Sequence, residues 1–407
     1  MSSSYRNSLV RAAVAATIAT GTSAAHAEAW VFDPRVEVAA VYDDNYRLSS
    51  IDDQKIDVTG GGVDAELGMR MESPRSMFGI TPRIHSTFFP NASSEEATDY
   101  YLEGEAQTRT QRLVTKFDGK FADESVITSE LLTAEAPGVG LGEPVSGDTG
   151  RVSVRNRRRL VVLDPSLTYD WTERRHLTAE LQYVDATFDD NVFEQVGYTT
   201  YAASGGIRFD TTQRSTVWVQ VLGSRYSADN DTPDTNTTGV LVEYRTSSSE
   251  ITSFYVRAGE AHSKRDAQGT TPESSTNSFN GGIGAEWHLQ TTRLVLDALR
   301  STSPSSAGAV VNRDEVRFSV THDFTPRFSG SLAARGIKTN GLHDEVNPVT
   351  ERKYATGTAG FEWRANRQIS LTGDYSYRWQ KYKGDPSDAV SNGVTLSVVY
   401  QPRRLAE

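Results

Sequence analysis

The sequence contains no cysteine, and beyond its N-terminus it has no long apolar run. Without cysteine there is no disulfide, thiolate metal site or cysteine nucleophile, which suits a chain that crosses an oxidising compartment unfolded. Hydrophobic residues make up only 37% of the 407 residues, and the mean hydropathy is −0.49. Each transmembrane helix needs about 20 mostly apolar residues, so a helical membrane protein is excluded. A membrane-spanning β-barrel is not excluded, because only alternate residues of its strands face lipid.

Excess basic charge and catalytic motifs are also missing. The net charge of −11 implies no basic face for a nucleic acid. The sequence has no H-x-x-x-H pair, no G-x-S-x-G elbow and no phosphate-binding glycine motif. We therefore expect no enzyme, metal, cofactor or nucleic-acid partner, although the many Ser and Thr residues leave a chance triad open. After residue 27 the histidines stand singly, at His85, His176, His262, His288, His322 and His343.

The N-terminus has the three parts of a secretory signal. Arg6 and Arg11 supply positive charge, residues 12–19 are short and apolar, and Ala25-His26-Ala27 matches an A-x-A cleavage site. The pattern predicts a signal peptide at 1–27 and a mature chain over 28–407. A mitochondrial presequence or a disordered tail is the alternative.

Short polar turns ending in arginine recur along the mature chain. Successive turns stand about 40 residues apart, and one interval is about twice that length. One further interval is lengthened by an insertion at about 128–150. These turns are Ser73-Pro74-Arg75, Thr110-Gln111-Arg112, Thr172-Glu173-Arg174, Thr212-Gln213-Arg214, Thr291-Thr292-Arg293, Thr325-Pro326-Arg327 and Ala365-Asn366-Arg367. Thr246-Ser247-Ser248 supplies an eighth turn, without arginine, in the one double-length interval.

The segments between these turns alternate apolar and polar residues, as half-buried strands do. In one of them Ile369, Leu371 and Tyr375 oppose Ser370 and Thr372. Segments of about ten residues can cross a bilayer as tilted strands. Eight short turns and nine longer loops then predict an all-β, up-and-down antiparallel transmembrane barrel of about 18 strands, with 16 as the alternative. A soluble propeller repeats at a similar length, but it needs four strands per repeat.

Longer polar loops, such as 227–238, 262–277 and 339–352, alternate with the short turns. In outer-membrane barrels the short turns are periplasmic and the long loops external. We therefore expect an outer-membrane protein with periplasmic termini, in contact with membrane lipid, lipopolysaccharide and the barrel-assembly machinery. The outward faces should carry aromatic residues near the membrane interfaces. These are Trp287, Trp363, Tyr375, Tyr377 and Trp379.

Three segments resemble the beta-barrel porin type 2 family. They are Val36-Glu37-Val38-Ala39-Ala40-Val41-Tyr42-Asp43-Asp44-Asn45, Leu163-Asp164-Pro165-Ser166-Leu167-Thr168-Tyr169-Asp170-Trp171-Thr172-Glu173-Arg174, and Ser391-Asn392-Gly393-Val394 to Tyr400. The resemblance covers nearly the whole mature chain, but its motifs are turn and strand signatures. It implies an outer-membrane channel with a role in exopolysaccharide export, alongside polysaccharide-export components. It supplies no active-site residues.

Alternation also predicts which charges line the lumen. Arg151, Arg155, Arg157 and Arg159 share one strand face, opposite Val152, Val154 and Leu160, and would form a basic ladder that sets ion selectivity. The alternative is that luminal charges of both signs pair across the wall and stiffen it. The other charges predicted to point inward are Arg208, Arg257, Arg317, Arg378, Glu66, Glu180, Glu286, Glu362 and Asp374.

Two loops leave alternatives open. The insertion at 128–150 is rich in Ala, Leu, Gly and Pro, and either constricts the pore from inside or packs over its mouth. The acidic first loop either binds Ca²⁺ or bridges to lipopolysaccharide through divalent ions, or is simply a solvated loop. Its polar residues are Asp43, Asp44, Asn45, Asp52, Asp53 and Asp57. The sequence as a whole predicts a porin-like channel for a hydrophilic solute. A non-conducting structural or surface-interaction barrel is the alternative.

Overall fold

The chain forms a closed antiparallel barrel of eighteen strands in a computed structural model. The structure describes residues 30–129, 155–189, 195–229, 233–267, 272–342, 351–385 and 387–402, and the backbone of 405–406. The strands are β1 (Trp30–Asp43), β2 (Val58–Glu72), β3 (Ser76–Phe88), β4 (Ala97–Arg109), β5 (Leu113–Ser125), β6 (Arg157–Thr172), β7 (Arg175–Phe188), β8 (Tyr198–Thr212), β9 (Ser215–Ala228), β10 (Thr235–Ser247), β11 (Thr252–Arg265), β12 (Ser274–His288), β13 (Thr292–Ser305), β14 (Ala309–Thr325), β15 (Phe328–Gly341), β16 (Arg352–Arg364), β17 (Ile369–Tyr382), β18 (Ala389–Tyr400) and the short β19 (Leu405–Ala406). The predicted signal peptide lies outside the described residues.

Each strand pairs with its neighbours in sequence, and β18 pairs with β1 to close the barrel. The closing register runs from Val36 opposite Tyr400 to Asp43 opposite Gly393. β19 continues this seam by pairing with the start of β1. Closure leaves no free sheet edge, which is the condition for strands to lie within a bilayer. The predicted fold class and strand count are confirmed.

The connections at the two ends of the barrel differ in length. All eight predicted short turns join consecutive strands, from β2–β3 to β16–β17. Strands β1 to β18 have 12 to 17 residues, longer than the ten predicted, so the opposite loops are correspondingly shorter. Residues 229–234, for example, connect β9 to β10, and only 306–308 connect β13 to β14. The prediction that the connections opposite the short turns are long loops is therefore wrong for the β13–β14 connection.

The two faces of each strand differ in chemistry. On β1 the even positions, including Val36, Val38 and Tyr42, are exposed and apolar, while the odd positions include Glu37 and the buried Asp43. Successive side chains of a strand point to opposite sides, so one face looks outward and the other into the lumen. An apolar outer face around a closed barrel requires lipid as its surroundings. The chain is an outer-membrane β-barrel.

Aromatic residues on the outer face follow the predicted alternation. Tyr375, Tyr377 and Trp379 alternate on β17 with the buried Arg378 and Gln380, so they point away from the lumen. Trp287 and Trp363 likewise share a face with the exposed Ile283 and Phe361 of their strands. Such side chains are amphipathic and favour membrane interfaces.

Loops and inward side chains pack together at the loop end of the barrel. Tyr46 of the first loop lies against Phe89 of the β3–β4 loop, with ring centroids 5.3 Å apart, and Ile127 joins them. A second apolar cluster includes Tyr101, Tyr226 and Val310, from strands far apart in the sheet order. These contacts cross the lumen and narrow its mouth. Among the described residues, no helix is long and apolar enough to span a bilayer.

Candidate functional site

The candidate site is the inner wall of the barrel. Eight of the charges predicted to line it share a strand face with buried, inward residues. These are Arg208, Arg257, Arg317, Arg378, Glu180, Glu286, Glu362 and Asp374. Glu66 lies on the inward face of β2 with Asp64. Their role in conduction stays a prediction.

The arginine ladder predicted at 151–159 does not form in the lumen. Arg157 stands opposite Ser125, and Arg159 stands opposite Asp123. Both arginines share a face of β6 with Val161, whose register partner is the outward Phe121. They therefore point away from the lumen, and Asp123 lies 2.7 Å from Arg157 and 3.9 Å from Arg159. Arg155 is exposed and precedes β6. Arg151 lies outside the described residues.

The inward arginine of this segment is Arg158. It is 7% exposed and lies beside Leu160 on the buried face of β6. Its Nη2 donates to Oε1 of Glu124 at 2.5 Å, and Glu124 is itself buried. Two charges out of water require such pairing. The pair braces the wall between β5 and β6.

An arginine cluster lies on the inner wall of β14 and β15. Arg317 and Arg335 are direct register partners. Both contact Glu315, with nitrogen-to-oxygen distances of 3.8 Å from Arg317 and 2.9 Å from Arg335. Arg313 Nε also lies 3.2 Å from this carboxylate, without forming a hydrogen bond, and its Nη2 is buried with no partner. Three guanidinium groups thus share one glutamate, with Asp297 paired to Arg317 as the second carboxylate.

The same wall extends to β11 through an aromatic side chain. The buried Tyr255 donates its hydroxyl hydrogen to Asp297. The guanidinium of Arg257 lies 5.4 Å from the Tyr255 ring centroid, and that of Arg245 lies 5.6 Å from it. A cation over an aromatic face is attracted by the negative charge of the ring. The wall from β10 to β15 is therefore predominantly basic.

Arg378 joins the ends of the chain on the inner wall. Its Nη2 donates to Oδ2 of Asp43 at 2.5 Å and to Ser391 Oγ at 2.8 Å. Asp44 accepts from the backbone nitrogen of Asn392 at 2.7 Å. Two carboxylates of the acidic first segment therefore brace the β17–β18–β1 seam. In the described part of the chain, no three His, Asp or Glu side chains lie close enough to hold a metal ion.

The opposite wall is predominantly acidic. Glu105, Asp118 and Asp164 are successive register partners on β4, β5 and β6. They follow the same inward face as Ala122 and Leu160 of β5 and β6, which are buried. Arg70 pairs with Glu105 at 2.8 Å. The lumen thus has a basic wall facing an acidic wall, and a charged or dipolar solute between them would be oriented by the field.

The tip of the β13–β14 hairpin bends into the lumen, although β14 stays paired with β15 as far as Val311 opposite Gly341. β12 pairs with β13 only as far as Gly281 opposite Arg300, whereas β13 and β14 remain paired to Ser305 and Ala309. The tip contacts distant elements: the Tyr226 hydroxyl donates to the Ser305 carbonyl at 2.9 Å, and Val196 N donates to the Ser306 carbonyl at 2.8 Å. A cavity of about 200 Å³ remains between the hairpin and β8–β12. The hairpin thus narrows the channel.

Sequence reasoning missed part of this site. Arg313 shares a face of β14 with Arg317, so alternation alone would have found it. Arg335 and Arg245 lie on β15 and β10, where no luminal residue was predicted, although each alternates with outward apolar residues of its strand. The grouping of Arg313 and Arg335 around Glu315 depends on strand register, which connects residues distant in sequence. The 128–150 insertion, predicted either to constrict the pore or to pack over its mouth, is described only at Thr128 and Ser129, which are buried.

Comparison with known proteins finds structural similarity alone. No family model and no curated protein matches the sequence. The Pseudomonas aeruginosa protein OpdK, solved with vanillate, is 10% identical at a TM-score of 0.46, over 93% of this chain and 99% of its own. The outer-membrane channel DcaP of Acinetobacter baumannii is 13% identical at 0.47, over 93% and 99%. OccAB4 of the same organism is 11% identical at 0.48, over 93% and 98%. The function of this chain is therefore inferred from its own residues.

Proposed function

We propose that this barrel is a passive outer-membrane channel for small hydrophilic solutes that carry an anionic group. The arginine cluster of Arg313, Arg317 and Arg335 carries the proposal, because Arg313 Nη2 is buried without a hydrogen-bond partner and, among the described residues, two carboxylates contact the three guanidinium groups. A partly neutralised guanidinium cluster attracts carboxylate or phosphate groups, which accept its remaining N–H donors.

The opposite acidic wall favours solutes that also carry a positive or dipolar group. Asp118 and Asp164 stand in register within the wall that faces the arginines. A solute with both signs of charge gains from both walls, whereas a simple anion is repelled by one of them. Zwitterions and polar acids fit this lumen better than neutral sugars.

The inward hairpin supports a small solute. Its tip is held by Tyr226 and Val196, which lie on other parts of the wall and mouth. A bulky polymer would need a wider free bore than a lumen crossed by this hairpin. Exopolysaccharide export rests on the sequence resemblance alone, and no described residue favours it.

The orientation follows from the connections. We place the eight short turns and both termini in the periplasm and the loops at the cell surface, as in other outer-membrane barrels. In this orientation the hairpin and the apolar mouth clusters face the exterior. Insertion would use the barrel-assembly machinery.

Reconstitution in planar bilayers tests the proposal. We expect discrete conductance steps and a reversal potential in a salt gradient that shifts toward cation preference in R317Q/R335Q. The matched control R159Q, an outward arginine, should keep the wild-type preference. An unchanged preference in R317Q/R335Q would overturn the anionic specificity. A barrel that gives no conductance steps but still changes its gel migration on heating would support the alternative of a non-conducting structural or surface-interaction barrel.

A further inference from the structure

Three lysines form a row on the outer face at the loop end of the barrel. Lys338 of β15 stands directly opposite Lys353 of β16, and Lys353 stands opposite Lys381 of β17. The three share a face with the outward Leu332, and they are exposed. Directly opposed like charges on a sheet destabilise it unless a counter-charge is supplied.

The other outward cations near this rim have such a counter-charge. Each outward Lys or Arg on the loop-end half of the described strands, apart from Lys338 and Lys353, has a carboxylate within 4 Å. These pairs are Arg157 and Arg159 with Asp123, Arg225 with Asp234, Lys264 with Glu273, Arg300 with Asp314, and Lys381 with Asp388. In the described part of the chain, Lys338 and Lys353 form no ion pair.

The pairing of Lys381 isolates the other two lysines further. Its ammonium donates to Asp388 at 2.7 Å, and this hydrogen bond lowers the pKa of that carboxyl. Trp379 Nε1 donates to the same carboxylate at 3.1 Å. Asp388 is thus occupied at one end of the row. At the other end Asp314, the register partner of Lys338, lies 3.3 Å from Arg300 and is occupied by it. Across β13 to β18 this row therefore holds four cations and two carboxylates, and the excess positive charge lies at Lys338 and Lys353.

The outer surface below the two lysines is shallow and apolar. The next outward row consists of Gly336, Ala355 and Trp379, and the row after it of Ala334, Gly357 and Tyr377. A Cβ on Gly336 would meet no atom within 4 Å, so the surface there is open. Lysine stems extend over apolar surface while their ammonium groups stay in the polar interface. The lysines therefore lie at the level of lipid headgroups, above a surface that accommodates an acyl chain.

We propose that Lys338 and Lys353 bind the phosphate of a phosphorylated lipid in the leaflet at the loop end. Their side chains start about 5 Å apart, so both ammonium groups reach one phosphate. The lipid supplies the missing counter-charge, and its acyl chain lies on the glycine and alanine strip beside Tyr377. Under the proposed orientation this leaflet is the outer one. The binding itself requires neither that orientation nor conduction.

Native mass spectrometry of the detergent-solubilised barrel tests the site. The probe is diphosphorylated lipid A, with phosphatidylethanolamine as a lipid of no net charge for comparison. We expect the affinity for lipid A to fall about thirtyfold in K338Q/K353Q, because each of the two lysines near an anionic headgroup contributes about 1 kcal/mol. Retention of wild-type binding in that variant would overturn the proposal.

Three controls separate the alternatives. K264Q removes an outward lysine that Glu273 already neutralises, so it should bind lipid A as the wild type does. K338R/K353R keeps the charge and should restore binding. Inorganic phosphate should fail to displace the lipid. A loss in K264Q equal to that in K338Q/K353Q, full displacement by phosphate, or a dimer that forms through this face would each contradict a lipid site.

Discussion

Arg317 and Arg335 lie directly opposite each other on β14 and β15, and one carboxylate, Glu315, contacts both. Two facing guanidinium groups would repel each other without it. Glu315 is 2% exposed, so water contributes little screening. This carboxylate therefore stabilises the wall and at the same time lowers the positive charge that a solute meets.

Replacing Glu315 with Gln should separate these two roles. Removing one partner of a buried charge network costs about 3–5 kcal/mol, so we expect a lower temperature for the heat-induced change in gel migration. The barrels that assemble should prefer anions more strongly in bilayer recordings. E260Q, a change to an exposed outward glutamate on β11, is the matched control. Wild-type stability and selectivity in E315Q would show that Glu315 neither stabilises the wall nor lowers the positive charge of the arginine cluster.

The arginines of β6 should differ according to the face they occupy. R159Q removes an exposed ion pair with Asp123, which contributes about 0.2–1 kcal/mol, and should leave ion preference unchanged. R158Q leaves Glu124 buried without its arginine and should cost about 3–5 kcal/mol. The temperature of the heat-induced change in gel migration measures the loss of stability in each variant. A change of ion preference in R159Q would contradict the outward position of Arg159.

The contrast at β6 explains where sequence reasoning succeeds and fails. Arg317 and Glu286 sit in segments with one clearly apolar face, so alternation places them inward. At β6 the residues 160–163 are apolar on both faces, and charges occupy both faces of 157–159. Alternation there fixes which residues share a face, but it does not decide which face is inward. Partners in neighbouring strands, such as Asp123 and Glu124, settle the question.

Turns were predictable because their signals are local, whereas the inward hairpin was not. Short polar runs such as Thr212-Gln213-Arg214 carry their turn chemistry in adjacent residues. The hairpin tip bends inward because it bonds to Tyr226 and Val196, about 80 and 110 residues earlier in the chain. Long-range contacts of this kind leave no periodic signal in the sequence.

The closing seam should depend on Asp43. Asp43 and Arg378 are both buried and joined at 2.5 Å, so Asp43→Asn leaves a guanidinium without its counter-charge. We expect a loss of about 3–5 kcal/mol, read as a lower heat-modification temperature and greater protease sensitivity at the seam. D53N, in the exposed part of the same loop, should change neither. Equal stability of D43N and D53N would contradict a structural role for the acidic segment.

The inward hairpin should limit conductance. Thr302 and Asn312 are register partners, so replacing residues 303–311 with Asn-Gly joins them by a two-residue turn that suits a hairpin. The shortened hairpin no longer reaches Tyr226, and we expect single-channel conductance to rise clearly above that of the wild type. Y226F, which keeps the tip but loses its hydrogen bond to Ser305, should keep the mean conductance and add current fluctuations. If the shortened variant assembles with wild-type conductance, the constriction lies elsewhere in the lumen.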